Sequence, residues 1–253
     1  MILKQGHNYE PMPHDGKVIR RIYRGGRCYY IASPYSPEAT QALKAAFPAY
    51  WKAIRDYGRA NPALVPFINE DPMLIVSLVE VGKTRWLVGD GKAWIQVPVR
   101  ISTSNTITTI VKNLESASTF QCLFSTSPST AFRLWVSNSK CICTINGTES
   151  SQINFKEIGK FEYNGESWMV NGVVVNTYKG TPVIADSFCL YNLSSSASRQ
   201  PFSAMSEFNV KDIAQLVPCQ HQGQCGMLDV VNATFYPNAN TEYSFTIAIT
   251  DKE

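Results

Sequence analysis

Histidine is scarce in this chain of 253 residues, which has only His7, His14 and His221. The first two lie in a polar amino-terminal stretch. His221 lies in the polar loop Cys219-Gln-His-Gln-Gly-Gln-Cys225 with no orienting acid nearby. A Ser-His-Asp or Cys-His hydrolase therefore lacks its parts. No apolar run reaches 18 residues, which excludes a membrane-spanning helix. Gly89-Asp-Gly91 is not followed by the Lys-Ser/Thr that opens a helix, so no phosphate-cradling loop is present. No helix alternates with the strand-like runs of the carboxy-terminal part, which excludes a parallel α/β sheet.

Paired metal ligands are also wanting. The seven cysteines stand at 28, 122, 141, 143, 189, 219 and 225. Cys141 and Cys143 are too close for a zinc knuckle, and Cys219 with Cys225 has no second pair to complete four ligands. The sequence thus implies no cofactor, and its cysteines read as small reduced core residues. A Cys219–Cys225 disulfide stays open for a chain that ends outside the cell. So does calcium, because Asp90, Asp186 and Asp229 sit at turn signals without a clustered oxygen-ligand loop. The start, Met1-Ile-Leu-Lys-Gln-Gly-His-Asn, lacks a secretory pattern, so folding in the cytoplasm of the producing cell is expected. The Asn-x-Ser/Thr triplets at Asn146, Asn192 and Asn232 then read as incidental.

What is present divides the chain in two. Residues 1–60 hold ten Lys/Arg against four Asp/Glu, so a chain of net +3 is +6 there and −3 beyond. Lys17–Arg24 and Arg27–Ile31 flank Gly25-Gly26 and predict a hairpin. Ser36-Pro-Glu38 predicts a helix start, with Ser as N-cap and Pro in the first turn. Leu43, Ala46, Phe47, Tyr50, Trp51 and Ile54 follow at helical spacing, with Pro48 placed to divide the helix. Gly58 and Pro62 predict the close of this segment, and Pro66 and Pro72 an extended connector after it.

Residues 1–72 are accordingly read as an anchoring module. Arg20 and Arg24 of the hairpin and Phe47, Tyr50, Trp51 and Ile54 of the stripe are its candidate partner-binding residues. Strand alternation would separate Arg20 and Arg24 from Arg21 and Arg27, which favours a protein interface over nucleic acid.

Residues 73–253 read as strands throughout, fifteen runs from Met73–Val81 to Tyr243–Thr250. Asn146-Gly147, Asn164-Gly165 and Asn171-Gly172 mark hairpins. Many short strands at this spacing predict a mainly β protein, an antiparallel β-sandwich of jelly-roll type. Among its acids, Glu157 and Glu162 differ by an odd number and would face opposite sides of one strand, while Glu166 adjoins a turn. That is not the paired-carboxylate arrangement of a glycosidase. Trp94, Trp135 and Tyr178 stand near loops or strand ends and are the candidate ligand-binding aromatics.

Two segments carry a family resemblance. Trp86-Leu-Val-Gly-Asp-Gly-Lys-Ala-Trp-Ile-Gln-Val-Pro-Val resembles the opening of concanavalin-like, laminin-G-type domains. Val210–Cys219 followed by Cys225-Gly-Met-Leu-Asp-Val-Val-Asn-Ala-Thr-Phe-Tyr-Pro-Asn resembles the closing motif of laminin-G-like domains of gut-bacterial phages and prophages. Val231-Asn232, Phe235-Tyr236 and Asn238 fit that motif, and Gly226, Leu228 and Asp229 depart slightly from it. Phe161–Val173 resembles the central hairpin pair, and Val18–Tyr30 looks like a short hairpin of phage tail-associated proteins. The likeness covers residues 84–253. It implies a non-enzymatic virion structural protein of tail, fibre or head-decoration type. Its expected partners are other virion subunits, further copies of itself and a host-surface glycan. A bacterial lectin or inactive glycoside-hydrolase relative is the alternative.

Overall fold

The computed structural model describes residues 13–14, 17–18, 21–24, 27–31, 34–48, 50–71, 83–89, 92–114, 120–127, 131–137, 139–191, 203–240 and 242–251. The chain forms two compact units, residues 1–80 and 81–253.

In the first unit, Arg21–Arg24 pairs antiparallel with Arg27–Ile31, as the Gly-Gly turn predicts. Three short helices follow, α1 (Pro37–Ala46), α2 (Trp51–Ala60) and α3 (Val65–Glu70). Ser36 caps α1 by accepting the Ala39 N–H at 3.2 Å, and Pro48 lies in the break between α1 and α2. After a 3-10 turn at Pro62–Leu64, the stretch around Pro66 that was expected to be an extended connector is instead α3. Both prolines occupy first-turn positions, where the missing N–H has no intrahelical partner to lose. Leu43, Ile54, Leu64 and Ile68 have no exposed surface. Tyr35 is buried too, and its hydroxyl donates to the Ile54 carbonyl at 2.7 Å. A side chain at Gly58 would fall 1.9 Å from that hydroxyl, so glycine is needed there.

The second unit is an antiparallel β-sandwich. One sheet has seven strands among the described residues, in the order Thr148–Glu149, Lys140–Ile145, Phe132–Ser137, Gln121–Ser127, Ser187–Leu190 and Ile95–Val97. Ile153–Asn154 pairs with the start of Lys140–Ile145. The other sheet has ten strands among the described residues. Eight run Val173–Thr177, Ser167–Val170, Ile158–Asn164, Thr106–Asn113, Ser203–Val210, Ala214–His221, Gln224–Asp229 and Thr234–Pro237. Lys83–Gly89 pairs with the first half of Ser203–Val210 and with Phe245–Asp251.

Alternation supplies the interior. Phe132, Leu134 and Val136 point inward from one sheet, and Phe161, Tyr163 and Phe208 from the other. Aromatic rings join the layers: Phe124 lies 4.7 Å from Phe208, and Phe132 lies 4.9 Å from Tyr163. Full burial of such rings contributes about 1.5–3 kcal/mol each. Tyr163 donates to the Thr103 carbonyl at 2.7 Å, and burial pushes its phenol up to about 12.

The Asn-Gly hairpins form as predicted. Asn146-Gly147 and Asn171-Gly172 hold φ of 44°, 77°, 49° and 81°, the left-handed pair that a tight antiparallel turn needs. The run Phe208–Val217 is not one strand but the ends of two, because Lys211–Ile213 turns and Asp212 takes φ 61°. Gln152–Tyr163 likewise divides into Ile153–Asn154 and Ile158–Asn164. Met73–Val81 lies outside the described residues.

Candidate functional site

The three candidate aromatics of the sandwich fall in different surroundings. Tyr178 is half-buried, its hydroxyl donating to the Thr181 carbonyl at 2.7 Å and accepting from Asn146 Nδ2 at 3.0 Å. Gly180 lies so close to the Tyr178 ring that a Cβ there would meet it at 2.5 Å. Trp94 is half-buried and held by its backbone: its N–H donates to Asn238 Oδ1 at 3.2 Å and its carbonyl accepts from Ala239 N at 2.9 Å. Neither is the centre of an open polar surface.

Trp135 is different. Its strand neighbours Leu134 and Val136 enter the core, so alternation turns Trp135 and Arg133 onto the outer face of the seven-stranded sheet, both half-buried. Directly across the strands, Trp135 lies between Ile142 and Cys122. A β-bulge at Leu123 shifts the register here, so that Leu123 and Phe124 both enter the core while Cys122 and Ser125, also buried, lie on the opposite face of the sheet.

Beside the Trp135 row runs a polar one. Register places Gln96 opposite Cys189, Cys189 opposite Ser125, Ser125 opposite Arg133, Arg133 opposite Thr144 and Thr144 opposite Glu149. Six strands at about 4.8 Å make this row about 24 Å long. Cys189 Sγ donates to Gln96 Oε1 at 2.8 Å. Burial pushes the Cys122 thiol up to about 12, and the Arg133 guanidinium opposes part of that rise. Thr144 is 3% exposed, and its Oγ1 has no hydrogen-bond partner among the described residues. A buried hydroxyl without a partner costs about 1–3 kcal/mol.

The motif residues that carry the family resemblance have another job. Asp229 is wholly buried, and its Oδ1 accepts from the N–H groups of Gln215, Val231 and Asn232 at 3.0–3.3 Å. Asn232 Nδ2 donates to Asp229 Oδ2 at 2.7 Å and to the Ile213 carbonyl at 2.9 Å. Asn238 Oδ1 accepts from Trp94 N and Asn240 N, while its Nδ2 donates to the carbonyls of Asn240 and Tyr243. A Cβ on Gly226 would fall 2.3 Å from the Tyr236 carbonyl. These groups tie turns together, and Asp229 is committed to amides rather than to an ion.

The remaining candidates are dispersed. Asp186 faces Arg100 at 3.5 Å, and Asp90 lies outside the described residues. Among the described residues no three His, Cys, Asp or Glu side chains gather as a metal site. Glu157 precedes the strand Ile158–Asn164 instead of lying on it, and pairs with Lys112 at 3.1 Å. Glu162 pairs with Lys160 at 2.8 Å, and Glu166 is exposed beside the Asn164-Gly165 turn. Cys219 faces Gly226 and Cys225 faces Gln220, so the two cysteines point to opposite sides of their hairpin, and both are thiols. The expected-open disulfide is therefore absent here. Cys141 and Cys143 both enter the core, and their mutual contact, with burial, raises the Cys143 thiol well above its usual range. His221 is buried, edge-on to Phe235 at 5.3 Å.

In the first unit, Ile54 is wholly inside the helical core, whereas Phe47, Tyr50 and Trp51 are half-buried. The Trp51 ring lies 5.8 Å from Tyr35 and 5.4 Å from the Lys44 ammonium. Arg24 ends the strand Arg21–Arg24, and Arg20 lies outside the described residues.

No protein-family model and no curated protein matches this chain.

Proposed function

We propose that the chain is a non-enzymatic structural protein of a phage-type virion, a component of a tail, a fibre or a head decoration. Its first unit anchors it to other particle subunits and to further copies of itself, and its β-sandwich serves assembly or host-surface binding. It is made in the host cytoplasm and carried on the particle. The observation that carries this reading is the division into two compact units, a small hairpin-plus-helix unit and a large β-sandwich. The charge surplus of residues 1–60 and the likeness of residues 84–253 to phage laminin-G-like domains support it. Mass spectrometry of purified particles tests it: the chain recovered at a fixed stoichiometry is the expected result, and its absence would overturn the reading. Size measurement sharpens the anchor assignment. The full chain should assemble and residues 73–253 alone should not; equal assembly of the two would remove the anchor.

A second reading, a bacterial glycan-binding lectin or inactive glycoside-hydrolase relative, is favoured by one observation, the outward Trp135 beside a polar row. Glycan binding by a chain that no particle contains would select it.

A further inference from the structure

We propose that Asn164 is a self-modifying site: its side chain closes on the Gly165 amide nitrogen, releases ammonia and reopens in water as aspartate or isoaspartate. This chemistry needs no partner and does not depend on the virion reading above.

Three Asn-Gly pairs occur in the chain, at Asn146, Asn164 and Asn171. A glycine leaves the attacking amide unhindered, so the sequence alone ranks the three equally. All three asparagines are exposed, so access of water does not rank them either. Their backbones do. Asn146 and Asn171 hold φ of 44° and 49° in tight turns, with strand pairing directly on either side, Ile145 with Thr148 and Val170 with Val173. Bringing the glycine nitrogen onto the side-chain carbon requires the Asn-Gly peptide to rotate, and such turns resist that rotation. Asn171 is held further, because its N–H donates to the Lys160 carbonyl and its Oδ1 accepts from Lys160 N, both at 2.8 Å. Asn146 donates from its N–H to the Ala131 carbonyl and from Nδ2 to the Tyr178 hydroxyl, both at 3.0 Å.

Asn164 is built differently. It ends the strand Ile158–Asn164, and pairing with the next strand stops at Tyr163 and Trp168, so residues 164–167 make the connection. Its φ lies outside the left-handed region. Asn164 Oδ1 accepts from Glu166 N at 3.0 Å and from Ser167 N at 2.8 Å. These bonds fold the carboxamide back over the Asn164–Gly165 peptide, beside the nitrogen that attacks it. Attack places negative charge on that same Oδ1. The two amides already point at it, and they serve as an oxyanion hole for the tetrahedral intermediate.

The atoms balance with water alone. Gly165 N bonds to Asn164 Cγ as its proton passes to solvent. The Cγ–Nδ2 bond then breaks, and the nitrogen leaves as ammonia. Water opens the five-membered imide at either carbonyl. Opening at Cγ gives aspartate, whereas opening at the main-chain carbonyl gives isoaspartate and lengthens the turn by one methylene. Loss of the amide proton makes the rate rise with pH.

The test is peptide mapping by mass spectrometry of the full chain held at 37 °C, folded at pH 8, folded at pH 5, and unfolded in guanidinium at pH 8. In the folded chain at pH 8, the Asn164 peptide should gain about one dalton and divide into aspartate and isoaspartate forms. It should do so at least tenfold faster than the Asn146 and Asn171 peptides, and at least tenfold faster than at pH 5. In guanidinium the three rates should lie within about threefold of one another. Conversion in the folded chain that is equal at all three sites, or faster at Asn146 or Asn171, would overturn the site. So would a tenfold preference for Asn164 that persists in guanidinium, because the fold would then not set it. A folded chain that leaves Asn164 intact while the unfolded chain converts it would overturn it as well.

Discussion

Two regions of the sandwich are rich in polar side chains, and they use them in opposite ways. Around residues 229–240, Asp229, Asn232 and Asn238 are bound to backbone amides and carbonyls of their own and adjoining turns. On the outer face around Trp135, the polar side chains lie in register on different strands, and one of them, Thr144, has a hydroxyl with no partner among the described residues. The first arrangement spends hydrogen-bonding capacity on the fold. The second leaves a buried hydroxyl, that of Thr144, without a partner. A polar motif that is legible in sequence is therefore not necessarily a binding motif, and here the legible one is the brace.

The contrast can be broken by mutation. The largest effect is expected for Asp229→Ala, which removes a wholly buried carboxylate and takes the acceptor from the amides of Gln215, Val231 and Asn232. It should cost about 3 kcal/mol in urea denaturation, and a loss under 1 kcal/mol would deny the brace. Tyr163→Phe should cost about 1 kcal/mol near neutrality, from the lost bond to the Thr103 carbonyl.

That variant has a pH signature as well. The Tyr163 phenol is raised in the folded state from 10.0 to about 12, so its contribution is complete below pH 10 and is lost as pH rises from 10 to about 12. Wild-type stability should fall through that window, and Tyr163→Phe should fall less steeply. Parallel curves would refute the assignment. Thr144→Val removes a buried hydroxyl without a partner and should stabilise the ligand-free chain by about 1 kcal/mol. Destabilisation would mean that the hydroxyl already has a structural role.

Much of the fold was legible because local chemistry decides it. Asn146-Gly147 and Asn171-Gly172 reach positive φ cheaply and mark their hairpins in any context. Ser36-Pro-Glu38 and Pro48 set the limits of α1 for equally local reasons. Where geometry is reached by a residue with other habits, the sequence is silent: Asp212 at φ 61° turns the chain inside what reads as one apolar strand, and Pro66 starts α3 where prolines suggest a connector.

The candidate site divides the same way. Phe132-Arg-Leu-Trp-Val alternates, which is enough to turn Trp135 and Arg133 to one face. Their companions Gln96 and Ser125 come from strands whose register depends on the bulge at Leu123, and no local signal announces it. Ile54 shows the converse. It shares the helical stripe with Trp51, yet only tertiary packing assigns it to the unit's own core.

The most direct test is the melting temperature of two variants, D229A and W135A. D229A should melt several degrees below wild type, because the amides that its carboxylate accepts from lose their partner, and the half-buried Trp135 should matter less, so W135A should melt closer to wild type. A D229A protein that melts like wild type would contradict the account, because the polar motif would then not be a brace.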